Sequence, residues 1–286
     1  MRESAQSRLD FASIMSIALH APRPAAASAV GFSPIPVPVF GLPKTALIIP
    51  TLREAANIPI LLERIQTALD PTGLDYEILI VDDDSRDGIE EAVAGISQAD
   101  PRVQLLVRKG KRGLSGAVLH GWMHTEAAIV GVMDADLQHP PELLPELITK
   151  VLDGCDLVIG SRYTEGGGLG SWDPLRKLFS AAAVWVTWPV QRSGVRAKDP
   201  MSGFFFVRRR CLSGIAFQEA GFKLLLEVLV RARIASVREV PFAFGRRFCG
   251  ASKANLKVAL EYGKLLARLY RYRFGWKRHV PVSLFE

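Results

Sequence analysis

The chain has 286 residues, a formal net charge of +7, 49% apolar residues and 23% charged ones, which excludes a disordered chain and allows one large α/β domain or two small ones. Cys155, Cys211 and Cys249 are odd in number and widely spaced, so neither a disulfide framework nor a zinc pattern can be read from them, and a reducing compartment is the default. Residues 1–191 hold 16 Lys/Arg against 23 Asp/Glu, whereas residues 192–286 hold 20 against 6; an acidic part suited to a metal is joined to a basic part suited to an anion.

Residues 1–43 are rich in Ala, Ser and Pro, show no sustained period, and are expected to form a flexible N-terminal extension. The uncharged run 24–43 contains Pro24, Pro34, Pro36, Pro38 and Pro43, which break a spanning helix, and Leu178–Gln191 is too short to cross a bilayer. Membrane contact is therefore expected to be peripheral or to depend on a partner.

From Thr45 the pattern changes. Ala46–Pro50 reads as a buried strand and Asn57–Leu69 as a helix, followed by a strand at Tyr76–Val81, a helix at Asp87–Ser97 and a strand at Val103–Val107. Gly113–Glu126 reads as a helix, Ala128–Met133 as a strand, Pro140–Leu152 as a helix and Asp156–Gly160 as a strand. The less regular second half is read as a helix at Asp173–Trp188, a strand at Gly203–Val207, a helix at Phe222–Arg233, a strand at Ser236–Val240 and a long helix at Lys253–Tyr272. Strands alternating with helices predict a mostly parallel α/β sheet with helices on both faces. Ligands of such sheets sit beyond the carboxyl ends of the strands, which puts Pro50-Thr51, Asp82-Asp83-Asp84 and Asp134-Ala135-Asp136 on one rim.

Asp134 and Asp136 are alternate residues at the end of an apolar strand, so both carboxylates can face one hard cation, and Gln138 can add a carbonyl oxygen. An all-oxygen ligand set suits Mg²⁺ or Mn²⁺ bridging a nucleotide's diphosphate. The three carboxylates at 82–84 repel one another. Ser85 or Asp87 as a helix N-cap explains one acidic residue, and a nucleoside's base and ribose are the expected partners of the others. Lys109–Gly116 is a basic, glycine-rich entry to a helix whose N–H groups can hold phosphate. It lacks P-loop spacing, and no G-x-G-x-x-G follows the first strand.

These motifs together resemble the family 2 glycosyltransferases of the GT-A fold, in particular the dolichol-phosphate (polyprenol monophosphate) mannose synthases. Ile49-Pro50-Thr51 with Glu54, Val81–Ser85, Lys111–Ser115 and Met133–Pro141 establish the resemblance in the first half. Gly160-Ser161-Arg162-Tyr163, Asp199-Pro200-Met201-Ser202-Gly203-Phe204-Phe205, Glu239-Val240-Pro241-Phe242 and Gly250-Ala251-Ser252-Lys253 extend it to about residue 272. The resemblance implies an inverting transfer of mannose from GDP-mannose to dolichyl or polyprenyl phosphate by a domain spanning 44–286, whose basic C-terminal part faces acceptor and membrane. It implies donor contacts from Pro50, Leu52, Glu54, Ile80, Asp82, Asp134, Ala135, Asp136, Arg247 and Lys253. Metal would be held by Asp134, Asp136 and Gln138, and Arg162 with Asp136 would form the catalytic pair. Leu52 stands where the family has an aromatic residue, and Ala251 replaces a glutamate.

A phosphate acceptor is already ionised near neutral pH, so the transfer needs positioning and leaving-group stabilisation more than a strong base. His139 is accordingly read as structural. The alternative within the same fold is a UDP-glucose or other nucleotide-sugar donor. The alternative from another class, a basic nucleic-acid-binding module, leaves the acidic rim without a purpose. On the terminal helix, Lys253, Lys257, Lys264, Arg268 and Arg271 fall within a ~60° arc, opposite Val258, Tyr262, Leu265, Leu266, Leu269 and Tyr270. With Trp185 and Trp188 this predicts a peripheral position on the cytosolic face of a membrane, a small membrane subunit being a further partner to consider.

Overall fold

The computed structural model describes residues 42–110, 112–168, 170, 174–217, 223–245 and 256–275, of which 174–177 and 256–258 are described by main chain alone. The expected extension 1–43, except its last two residues, lies outside them, as do Lys111, Arg247 and Lys253.

Among the described residues, seven strands form one sheet. They are β1 (Thr45–Thr51), β2 (Tyr76–Asp82), β3 (Val103–Val107), β4 (Ile129–Val132), β5 (Leu157–Ser161), β6 (Phe205–Arg208) and β7 (Val237–Pro241), in the order β3-β2-β1-β4-β6-β5-β7. Only β6 runs antiparallel, paired with β4 on one side and β5 on the other. The mixed pairing is a detail that strand alternation alone does not convey, because the direction of a strand depends on which end of the sheet the preceding chain enters from.

Strands buried on both faces explain the continuous apolar runs. In β1, Ala46 and Ile48 join one core while Leu47 and Ile49 join the other. The second core is covered by α1 (Ile58–Leu69), α2 (Ile89–Ala99) and α4 (Leu144–Leu152); the first is covered by α3 (Leu114–Met123) and α6 (Leu224–Arg231). Spacing selects these faces: Ile58, Leu61, Leu62, Ile65 and Leu69 form the buried stripe of α1. Where β4 meets β6 the sheet needs a residue without a side chain. A Cβ on Gly131 would stand 2.2 Å from the ring of Phe206.

One sequence expectation about helix starts is wrong. Neither Ser85 nor Asp87 caps α2; the residue before it is Gly88, at φ +88°. Ser85 is instead occupied by Asp82, and Asp87 accepts the N–H of Ala55 at 3.0 Å. Ser85 also accepts the N–H of Arg53 at 2.8 Å, so both side chains hold the loops after β1 and β2 to each other.

The apolar face of the last described helix packs on the domain. Leu265 and Leu269 of α7 (Leu256–Arg273) are buried with Val190, Leu226 and Val230. Tyr262 and Tyr270 donate their hydroxyls to the carbonyls of Ala183 and Val186 on α5 (Pro174–Thr187). The apolar side of α7 is thus consumed by the domain. No helix among the described residues is long and apolar enough to cross a membrane.

Candidate active site

Strand order reverses between β1 and β4, and the carboxyl ends of β1, β2 and β4 lie side by side there. That crevice is where an open α/β sheet binds ligands. Thr51 at the end of β1 is paired in register with Asp82, and its hydroxyl donates to the Asp82 carboxylate at 3.0 Å. Four non-glycine residues with left-handed backbone, Arg53, Asp84, Arg86 and Leu137, all lie in the loops leaving these three strands. Such strain persists only where the surroundings over-determine it, and it concentrates at functional sites. A cleft of about 800 Å³ opens between the loops after β1 and β2, lined by Arg53, Ala55, Asp84, Arg86 and Arg112 among others.

The repulsion between the three aspartates is relieved largely inside the protein. Asp82, 1% exposed, accepts from the Thr51 hydroxyl and from both the N–H and hydroxyl of Ser85. Asp83 is ion-paired with buried Arg108 at 2.8 Å and accepts the N–H of Gly113 at 2.6 Å. Burial raises the Asp83 carboxyl above the usual carboxylate range, against the Gly113 N–H and the Arg108 charge. Asp84 is paired with exposed Arg86. The N–H of Gly113, just before α3, is one of the groups expected to hold a phosphate; it is taken by Asp83.

The D-x-D turn is built differently. Asp134 and Asp136 flank Ala135, which is buried, and Asp136 accepts the N–H of Gln138 at 3.2 Å. The Asp134 side chain is one-third exposed. Gln138 donates its amide nitrogen to the Gly245 carbonyl at 3.1 Å, so its amide oxygen is the atom left to coordinate. Among the described residues no group of three or more His, Cys, Asp or Glu side chains could hold a metal alone. Two carboxylates and one amide oxygen suit a hard cation that keeps further positions for water and substrate phosphate.

His139 is structural, as expected. It is 2% exposed, accepts the N–H of Asp134 through Nδ1 at 3.2 Å, and stacks on Phe204 at 5.1 Å. Burial pushes its pKa down to about 4 despite the nearby Asp136 charge, so the ring is neutral at neutral pH.

Arg162 follows β5 on the same rim, and its fork is clamped by fully buried Asp199 at 2.7 and 2.8 Å. Burial works against the cation, but the Asp199 hydrogen bonds and charge outweigh it and hold the guanidinium above its ordinary pKa. Pro50 near the end of β1, and Leu52 and Glu54 in the loop after it, are half-buried, with Glu54 accepting the amide of buried Asn57 at 2.6 Å. Ile80 is fully buried in the core, and Ala135 is nearly so. Any ligand contact from these two positions falls to their main chain.

Sequence reasoning assigned no part to Asn57, Arg108, Asp199, Lys223 or Glu239. Asp199 and Glu239 stand in motifs the sequence displayed, but which groups they hold depends on contacts across 37 and 40 residues.

The geometry can be set beside known proteins. Residues 46–226 match the domain described as glycosyl transferase family 2. The chain is 41% identical over 241 residues to the dolichol-phosphate mannosyltransferase of Pyrococcus furiosus, covering 84% of this chain and 68% of that one. It is 35% identical over 240 residues to the protein of the same name from Saccharomyces cerevisiae, covering 80% and 88%. Among solved structures, glucosyl-3-phosphoglycerate synthase from Mycobacterium tuberculosis in complex with Mn²⁺, UDP and glucosyl-3-phosphoglycerate has the same fold, with a TM-score of 0.58, 18% identity and coverage of 84% and 81%. A rim of carboxylates at the switch point of a GT-A sheet and matches spanning most of the chain lead to one assignment: this chain is a glycosyltransferase and belongs to glycosyl transferase family 2.

Proposed function

We propose that the enzyme transfers mannose from GDP-mannose, with inversion, to the phosphate of a dolichyl or polyprenyl lipid at the cytosolic face of a membrane. The observation that supports this best is the similarity to proteins named dolichol-phosphate mannosyltransferase over at least four-fifths of the chain, including the D-x-D turn and the Arg162 loop. Asp134, Asp136 and Gln138 would hold Mg²⁺ or Mn²⁺, which stabilises charge on the leaving diphosphate when bound; the Mn²⁺ and UDP in the mycobacterial neighbour's complex support this reading. Pro50, Leu52, Glu54, Asp82 and the main chain at Ile80 and Ala135 would orient the nucleoside. Arg162 would meet donor or acceptor phosphate with a fork already oriented by Asp199. Arg247 and Lys253, outside the described residues, are proposed as further phosphate contacts. His139, 2% exposed, is assigned no part in the transfer, because an ionised phosphate acceptor needs no base.

The purified protein, Mn²⁺ and polyprenyl phosphate should give lipid-linked mannose with radiolabelled GDP-mannose, and GDP should compete better than UDP for binding. A clear preference for UDP would move the protein to the glucosyl alternative within the same fold.

Membrane contact is proposed for α5 and the free side of α7. Leu178, Phe179, Trp185 and Trp188 are exposed, with Trp185 at 78%, and the Arg196 guanidinium lies 4.8 Å over the Trp188 ring. Indoles favour the lipid–water interface, and nearby cations favour anionic lipid. Lys264 and Arg271 are exposed on α7. The protein should co-sediment with anionic vesicles at low salt. The combined variant Trp185→Ser/Trp188→Ser with charge reversal at Lys264 and Arg268 should lose most of that binding. Unchanged binding would make a membrane partner subunit the better explanation.

A further inference from the structure

Two motifs on the chain have no role of their own assigned beyond the Asp199 clamp: Asp199-Pro200-Met201-Ser202-Gly203, the turn that leads into β6, and Glu239-Val240-Pro241 of β7. The structure brings them together. Glu239 accepts the N–H of Lys198 through Oε2 at 2.9 Å and the N–H of Asp199 through Oε1 at 3.0 Å. One carboxylate thereby fixes two successive peptide groups. The Asp199 carboxylate, 0% exposed, accepts three hydrogen bonds from Arg162: its N–H at 3.0 Å, Nε at 2.7 Å and Nη2 at 2.8 Å. A paired fork of this kind fixes both the position and the plane of a guanidinium.

The same turn is tied down elsewhere. Ser202 donates its hydroxyl to the Gly160 carbonyl of β5 at 2.7 Å, two residues before Arg162, and accepts the N–H of Phe204 at 3.1 Å. Lys223, just before α6, donates to the Met201 carbonyl at 3.4 Å. At its far end the turn supports the D-x-D carboxylate. A Cβ on Gly203 would stand 2.7 Å from Asp134 Oδ2 and 2.9 Å from Oδ1, so Asp134 rests directly on glycine backbone. The turn therefore touches the rim cation through Asp199 and a rim carboxylate through Gly203.

We propose that the turn Asp199–Gly203 is a positioning element that sets Arg162 and Asp134 relative to each other, and that Glu239 acts on the reaction through Asp199 and Arg162. The inference rests on Arg162 and Asp134 having the phosphate and metal roles proposed above. Its physical basis is preorganisation. An arginine held in place before substrate arrives needs no reorganisation during transfer, and a misplacement of about 1 Å far from the chemistry can lower the rate ~10²-fold. Glu239 touches neither reacting atoms nor, in any hydrogen bond above, Arg162 itself; it is a positioning residue.

The test uses the full chain. Glu239→Gln keeps the size of the side chain but turns one acceptor into a donor facing a peptide N–H. It should lower kcat/KM for transfer to polyprenyl phosphate about 10-fold to 30-fold in the wild-type background, but less than about 3-fold in an Arg162→Lys background, because the group it acts through is already gone. Losses that multiply independently would overturn the proposal. A readout without turnover accompanies this. The Arg162 Nε–H, held by buried Asp199, should give a slowly exchanging NMR signal that Glu239→Gln makes exchange faster; an unchanged signal in a folded variant overturns the coupling, including where Arg162→Lys leaves no measurable rate. Gly203→Ala should weaken Mn²⁺ binding, titrated without donor, by about 10-fold while circular dichroism stays native. Unchanged Mn²⁺ affinity in that folded variant removes the Asp134 half of the proposal. If the wild-type protein transfers no sugar to polyprenyl phosphate, the proposed function fails, and the NMR and Mn²⁺ measurements still judge the positioning element.

Discussion

Asp136→Ala should abolish sugar transfer and leave the fold in place. Asp136 is 7% exposed, lies on a turn rather than within the sheet, and accepts the N–H of Gln138, two residues on. Losing one such hydrogen bond costs about 1 kcal/mol, so circular dichroism and thermal unfolding should remain close to wild type. The catalytic loss should be much larger. A cation that stabilises a leaving diphosphate contributes several kcal/mol in the transition state, and at 1.36 kcal/mol per decade its displacement lowers the rate by roughly 10³-fold or more. Mn²⁺ titration should show weakened binding in parallel. Full activity of Asp136→Ala in the presence of chelator would sink the metal assignment.

Asp83→Ala should act on stability instead. The substitution leaves the Arg108 guanidinium, 7% exposed as a residue, without its carboxylate, and it leaves the Gly113 N–H without its acceptor. Removing one partner of a buried pair costs about 3–5 kcal/mol. At about 2–4 °C per kcal/mol for a domain of this size, the melting temperature should fall by roughly 10 °C. Donor affinity, measured by titration at a temperature where the variant is folded, should change far less than stability does. A native melting temperature with collapsed donor binding would return Asp83 to the nucleoside, where the sequence first placed it.

These two aspartates show which features of a carboxylate motif a local pattern displays and which it hides. The D-x-D pair follows directly from local geometry: alternate residues at the end of an apolar strand point the same way, and the strand is recognisable from its own residues. The run at 82–84 looks alike in one dimension. Its partners, however, are Thr51, Arg108 and Gly113, contributed by β1, the end of β3 and the start of α3. No local pattern states that a buried arginine 25 residues away will neutralise Asp83. The misassigned cap of α2 has the same origin, since Ser85 and Asp87 are engaged by Asp82 and the β1 loop.

The terminal helix divides in the same way. Its apolar and basic faces were readable from the 3.6-residue period, but period alone does not decide whether an apolar face meets protein or lipid. The structure assigns Leu265 and Leu269 to the domain, and leaves exposed the indoles of Trp185 and Trp188 near the end of α5.

By itself, then, the sequence determined the alternation of strands and helices, the rim on which the acidic motifs stand, the D-x-D turn and the structural character of His139, because each depends on the period and spacing of neighbouring residues. Only the tertiary structure decided the antiparallel insertion of β6, the internal pairing of Asp82 and Asp83, and the clamp of Asp199 on Arg162 held by Glu239. Those features join groups dozens of residues apart, and burial sets their strength: a charge removed from water must find a partner wherever the fold supplies one.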